Sequence, residues 1–101
     1  RSFCYVDDLV EGLIKLINTD YEYPVNLGNT EEITISKLSQ IVMEEFNYEC
    51  KINNSELPKD DPVRRKPDIS LAKRLLNWSP QIKMEDGIKR TINWFKENSN
   101  V

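Results

Sequence analysis

Residues 24–28 read PVNLG, a short apolar segment that is followed by Asn29. A brief apolar run that ends at a glycine is typical of a buried β-strand, and Gly28 with Asn29 favours a turn directly after it. A strand needs a neighbour for its backbone N–H and C=O groups, yet no hairpin partner lies within a short turn of this one. We therefore expect residues 24–28 to pair with strands outside these 101 residues.

Four helical patterns surround this segment. We expect helices from Asp7 or Asp8 to about Asn18, from Thr34 or Ser36 through Phe46, from Asp68 to the turn at residues 78–80, and from about Met84 onward, with carboxylate or hydroxyl caps at the first three. Apolar residues recur on each at helical spacing, which predicts the core. The predicted core positions are Leu9, Val10, Leu13, Ile14, Ile17, Leu38, Ile41, Val42, Phe46, Ile69, Ala72, Leu75, Leu76, Met84, Ile88, Ile92 and Phe95.

Two further segments have strand-like composition. Residues 1–6 are rich in aromatic and β-branched types and predict a strand or an extended entry, and residues 49–53 predict a weak strand. The fold class is therefore α/β, mostly helical, with two or three short strands that do not form a self-sufficient sheet. Gly87 inside the last helix predicts close packing, and Trp78 and Trp94 lie beside core positions, which favours packing over stacking on bases.

Composition excludes several function classes. The net charge of −3 argues against a general binder of nucleic acid, which usually carries a basic excess. The chain contains no histidine, so the usual zinc ligand and the serine–histidine triad are absent, and we expect no metal site. Two cysteines are too few for a disulfide framework, which favours reduced thiols in a cytoplasmic compartment, and no apolar run is long enough to span a bilayer.

The most informative polar stretch is residues 60–69, DDPVRRKPDI, in which two arginines lie between prolines. Each proline fixes its own φ and moves the residue before it away from helical geometry, so the loop is stiff. A planar guanidinium on such a backbone is suited to bind phosphate or carboxylate through paired hydrogen bonds. The residues alone also fit a solvated charged turn. The paired carboxylates Asp7 and Asp8 are explained better by helix capping than by metal binding.

Several motifs in order resemble the C-terminal third of the UDP-glucuronic acid decarboxylases, also called UDP-xylose synthases. They are residues 1–10 (RSFCYVDDLV), 24–29 (PVNLGN) with Thr34 and Ile35, 61–62 (DP), 65–69 (RKPDI), 78–80 (WSP) and 85–87 (EDG). The resemblance covers nearly the whole chain. That family lies in the extended short-chain dehydrogenase/reductase superfamily, among the NAD-dependent epimerases and dehydratases. The resemblance implies that residues 24–28 form an outer strand of a Rossmann sheet, with the first helix beside that sheet.

The resemblance also implies a function. A decarboxylase of this family uses NAD, held by its N-terminal part, to oxidise the sugar of UDP-glucuronate at C4, releases the carboxylate and returns the hydride to give UDP-xylose. These 101 residues would then be the substrate-binding part of the enzyme and would be inactive alone. The resemblance implies that the whole enzyme is a homodimer in the cytoplasm, or in the lumen of the secretory pathway if an upstream anchor exists. The alternatives are a dTDP-glucose 4,6-dehydratase, a UDP-sugar 4-epimerase and a non-catalytic interaction module.

The resemblance carries over to four residues. Arg1 and Arg65 match motif arginines that face the diphosphate and the sugar end of the substrate, and Arg65 matches a position with a role near the leaving carboxylate. Tyr5 and Asn26 match positions that border the same pocket, whereas Arg64 falls at a variable position. We also expect the isolated chain to be poorly stable or to self-associate through the edge of residues 24–28.

Overall fold

A computed structural model of the chain describes residues 1–48 and 66–98. Within those residues the elements are α1 (Val6–Ile17), α2 (Ile35–Phe46), α3 (Ser70–Leu76) and α4 (Met84–Asn98). Helix α1 packs against α3 and α2 against α4, so the four predicted helices are confirmed. No helix in the described ranges has the length and apolar character needed to cross a membrane. The weak strand predicted at residues 49–53 lies outside the described residues.

The core is centred on Trp78, which is only 2% exposed. Ile69, Ala72 and Leu76 of the α3 region pack with it. Half-buried side chains surround this cluster, namely Cys4, Leu16, Val25 and Leu27. The confirmed burial of Trp78 therefore joins the N-terminal helix, the apolar segment at 24–28 and the short helix α3 into one unit.

The helix ends show which predicted caps are correct. Thr34 is the N-cap of α2, and its hydroxyl accepts a hydrogen bond from the backbone N–H of Lys37 at 3.0 Å. The N-cap of α1 is Tyr5, so the predicted caps Asp7 and Asp8 are wrong, because both lie inside the first turn. Asp68 precedes the N-cap of α3 by one residue, although its carboxylate still accepts the Ser70 N–H at 3.0 Å.

The structure assigns no strand within residues 1–48 and 66–98, so the strands predicted at 1–6 and 24–28 are not confirmed. A strand is defined by a ladder of backbone hydrogen bonds, and residues 24–28 have no ladder partner in these ranges. Arg1 pairs with Ile33: the N–H of Ile33 donates to the Arg1 carbonyl at 2.7 Å, and the Arg1 amino group donates to the Ile33 carbonyl at 3.1 Å. Gly28 does not use a positive φ; Asn47 and Asn77, after α2 and α3, do.

The predicted core face of α1 is exposed, which corrects the prediction made from helical spacing. Val10, Leu13, Ile14 and Ile17, here called the α1 stripe, are 46%, 44%, 55% and 79% exposed. The buried positions of α1 are Asp8 and Gly12 instead. A Cβ at Gly12 would lie 3.0 Å from Leu27 Cδ1 and 3.1 Å from the Trp78 ring, so α1 approaches the core through its smallest residue. Leu75, Trp94 and Phe95 are also more exposed than predicted.

We expect the isolated 101-residue chain to self-associate through the α1 stripe, because contiguous exposed apolar surface is unfavourable in water. The Ile14→Lys variant should move the association midpoint to about tenfold higher concentration, since burying an unpaired ammonium costs more than about 1.4 kcal/mol. Sedimentation velocity over a concentration series measures the change. Ser36→Lys, which adds the same charge at an exposed position of α2, is the control. A wild-type chain that stays monomeric throughout the series would contradict the prediction.

Candidate functional site

The candidate site is built where residues 26–30 meet residues 66–70. The side-chain amide of Asn26 donates a hydrogen bond to the Asp68 carbonyl at 3.4 Å. Gly28 faces Pro67 so closely that a Cβ at position 28 would lie 2.9 Å from Pro67 Cγ. Glycine is therefore required here by the approach of the proline ring and not by its backbone angle. The two contacts fix the Lys66-Pro67-Asp68 motif against the segment that follows residue 26.

A basic pocket of about 380 Å³ opens beside this junction. This cavity is called the basic pocket below. It is lined by Thr30, Lys66, Pro67, Asp68, Ile69, Ser70 and Lys73. The backbone N–H and the side chain of Ser70 lower the pKa of Asp68 below its ordinary value, because hydrogen bonds to a carboxylate favour its charged form. Asp68 is thus an anion at neutral pH, in a pocket whose lining also includes Lys66 and Lys73.

Tyr5 lies in a different environment. Its ring contacts the face of α4 at Gly87, where a Cβ would lie 3.1 Å from Tyr5 Cβ, so the predicted close packing at Gly87 is confirmed. The Arg90 guanidinium lies 5.7 Å from the centroid of the same ring, within range of a cation–π interaction. Tyr5 also lines an apolar groove of about 550 Å³ between α2, α4 and residues 3–6. Among residues 1–48 and 66–98, this groove shares no lining residue with the basic pocket.

Asp8 holds these parts together. The carboxylate is 4% exposed and accepts the Ile82 N–H at 2.9 Å, while the Asp8 carbonyl accepts the Trp78 indole N–H at 2.9 Å. Lys15 adds a third link by donating to the Asn77 carbonyl at 3.1 Å. Helix α1 is therefore tied to the turn that joins α3 to α4.

Burial and the nearby Asp8 charge both raise the pKa of the Cys4 thiol, which disfavours the reactive thiolate.

The structure brings together some of the predicted site residues. Asn26 contacts the motif predicted to bind the substrate, and Arg1 is anchored at Ile33, three residues after Thr30. Tyr5 lies in the apolar groove, and Arg65 is outside the described residues, so its predicted role stays a prediction. Sequence reasoning missed Lys73 and the structural role of Asp8. The position of Lys73 one turn after Ser70 was a usable signal, because residues three apart share a helix face.

Comparisons with known proteins agree with the motifs. No family model matches the chain. UDP-glucuronic acid decarboxylase 3 of Arabidopsis thaliana is 43% identical over 101 residues, which is all of this chain and 30% of the relative. UDP-glucuronic acid decarboxylase 1 of Danio rerio is 44% identical over 95 residues, which is 94% of this chain and 23% of the relative. The predicted resemblance to the UDP-glucuronic acid decarboxylases is confirmed.

The fold is shared with a solved enzyme. The crystal structure of UDP-glucuronic acid 4-epimerase from Bacillus cereus, in complex with UDP-glucuronic acid and NAD, matches 97% of this chain with a TM-score of 0.81 and 24% identity. The match uses 32% of the epimerase chain. The chain thus spans less than a third of the curated decarboxylases and about a third of the epimerase. The sequence identity to the decarboxylases is higher than the identity to the epimerase. The match to the epimerase structure establishes the fold of this chain.

Proposed function

We propose that this chain is the substrate-binding part of an NAD-dependent UDP-glucuronate decarboxylase, a lyase that makes UDP-xylose. The observation that carries the proposal is identity of 43% over the whole chain to a decarboxylase. The junction of Asn26 with Asp68 supports it, because it joins two motifs that are 42 residues apart in sequence into one polar surface. The chain alone is proposed to be inactive.

The proposed reaction divides between this chain and the rest of the polypeptide. The three glycines at 12, 28 and 87 form no phosphate-binding loop, so the residues present do not fit NAD, and we place its site in the N-terminal part. NAD there accepts the C4 hydride and later returns it. The proposed role of this chain is to orient the UDP-sugar, with Arg1 and Arg65 pairing with its anionic groups and Asn26 and Tyr5 bordering it.

We further propose that residues 24–28 are an outer strand of a Rossmann sheet supplied by the N-terminal part. Two features support this: residues 24–28 have no ladder partner in the described ranges, and the α1 stripe is exposed. A sheet would satisfy the backbone groups of residues 24–28, and the N-terminal part would also supply a surface to cover the apolar side chains of the stripe. A homodimeric assembly and a cytoplasmic location are proposals of the same kind, the second based on the small number of cysteines.

The decisive experiment is incubation of the full-length protein that carries this chain with NAD and UDP-glucuronate. The proposed function requires release of carbon dioxide together with formation of UDP-xylose. The fold match to a 4-epimerase favours one second candidate, epimerisation at C4. An epimerase would give the C4 epimer of UDP-glucuronate with no carbon dioxide, and a non-catalytic module would give neither product.

A further inference from the structure

Arg90 is an exposed cation of α4 whose guanidinium lies over the ring of Tyr5, 5.7 Å from the ring centroid. The neighbouring cations of the same helix are used differently. Lys89 forms ion pairs with glutamates, and Lys96 donates a hydrogen bond to the Glu45 carbonyl. In the part of the chain that the structure describes, Arg90 forms no ion pair and no hydrogen bond, so its partner there is the Tyr5 ring.

The two ends of the Tyr5 side chain differ in how they are held. Tyr5 is the N-cap of α1, and its carbonyl accepts the Leu9 N–H at 3.2 Å. A Cβ at Gly87 would lie 3.1 Å from Tyr5 Cβ and 3.3 Å from Cδ1, so α4 supports the base of the ring. The hydroxyl at the far end makes no hydrogen bond to any residue that the structure describes. This hydroxyl can therefore donate to and accept from a ligand.

The surroundings of the Tyr5 ring offer it two positions. Tyr5 lines the apolar groove between α2 and α4, and an aromatic ring beside such a groove gains by burying more of its surface there. The Arg90 guanidinium opposes that movement, because a ring that turns away from a cation loses the cation–π attraction. At an exposed site this attraction favours the observed position roughly two- to fivefold.

We propose that Arg90 is a positioning residue, which holds the Tyr5 ring so that the Tyr5 hydroxyl meets the bound UDP-sugar. This inference rests on the proposed function, in which Tyr5 borders the substrate. Arg90 acts through Tyr5, and the ordering of that side chain before binding reduces the entropy lost on binding. The contact is the same before and during the reaction, so the loss of Arg90 raises KM and leaves kcat unchanged.

The test is a double-mutant cycle on Arg90 and Tyr5 in the full-length protein that carries this chain. Calorimetric titration with UDP-xylose measures affinity without turnover. We expect Arg90→Met, which removes the charge, to weaken UDP-xylose about threefold and to raise KM for UDP-glucuronate by the same factor. In the Tyr5→Phe background, which keeps the ring and removes the hydroxyl, Arg90→Met should have no further effect.

Two further variants separate positioning from a general effect of charge or of structure. Arg90→Lys keeps a cation over the ring and should restore most of the affinity, which a loss of packing would not allow. Lys89→Met removes the same charge from the adjacent position of α4 and should leave the affinity for UDP-xylose unchanged.

Three results would overturn the positioning role of Arg90. They are an unchanged affinity in Arg90→Met, an equal loss with and without the Tyr5 hydroxyl, which would indicate direct contact with the ligand, and equal losses in Arg90→Met and Lys89→Met. The two proposals fail separately. Carbon dioxide release with a UDP-xylose affinity that Arg90→Met leaves unchanged would refute the positioning role alone. An affinity that depends on both side chains, without carbon dioxide release, would refute the decarboxylase alone, and the absence of both binding and release would refute both.

Discussion

Replacing Trp78 by alanine is expected to lower the free energy of unfolding by about 3–5 kcal/mol, the range for removal of a buried large aromatic side chain. Trp78 is 2% exposed and packs in the cluster with Ile69, Ala72 and Leu76. Its removal also leaves the Asp8 carbonyl without the indole N–H that it accepts at 2.9 Å. Stability of this size is a large part of the total for a small domain, so the variant should be largely unfolded near room temperature.

The second tryptophan provides a matched control. Trp94 is 56% exposed, so Trp94→Ala should change the free energy of unfolding by less than about 1 kcal/mol. Urea unfolding followed by far-ultraviolet circular dichroism measures both variants, because fluorescence would report a different tryptophan in each. Equal losses for the two variants would show that the core is not centred on Trp78. This comparison tests the structural correction as well, since the sequence pattern predicted packing for both side chains.

Local sequence signals predicted the four helices and the buried face of α2, α3 and α4, where Ile41, Ala72 and Ile92 are in the core, and they failed on the face of α1. The hydroxyl of Thr34, the helical spacing in α2 and the turn at Trp78 act within a few residues, so they are visible in the sequence. Spacing in α1 correctly identified an apolar stripe. The spacing does not show which surface covers this stripe. Within this chain, α1 packs on Trp78 and Leu27 through Gly12, which is not part of the stripe.

The same limit applies to the candidate site. Asp8 was assigned to a cap because a carboxylate at a helix start usually serves one, yet its partner is the N–H of Ile82, 74 residues later. Asn26 and Asp68 were connected only by their order among family motifs, and their contact is a product of the fold. The spacing of residues along the sequence does not show which distant residues come into contact in the fold. The loop motif before α3 gave no signal for Lys73, because the cavity is lined by residues on both sides of the start of α3.

Replacing Arg65 by alanine in the full-length protein is expected to lower kcat/KM for UDP-glucuronate about 10- to 100-fold. The physical reason is the loss of a charge-assisted, two-point contact with an anionic group, worth about 1.5–3 kcal/mol. The rate of carbon dioxide release measures it. Arg64→Ala removes the same charge from the neighbouring position, which the family resemblance does not assign to the substrate, and should stay within about threefold of the wild type.

The division of the Arg65 effect between kcat and KM identifies which anionic group the guanidinium contacts. A contact with the diphosphate is the same before and during the reaction, so its loss raises KM and leaves kcat unchanged. A contact near the leaving carboxylate changes as carbon dioxide departs, so its loss lowers kcat. Arg65→Lys keeps the charge without the planar fork and should recover only part of the loss. Arg64→Ala and Arg65→Ala variants with equal rates would remove Arg65 from the site.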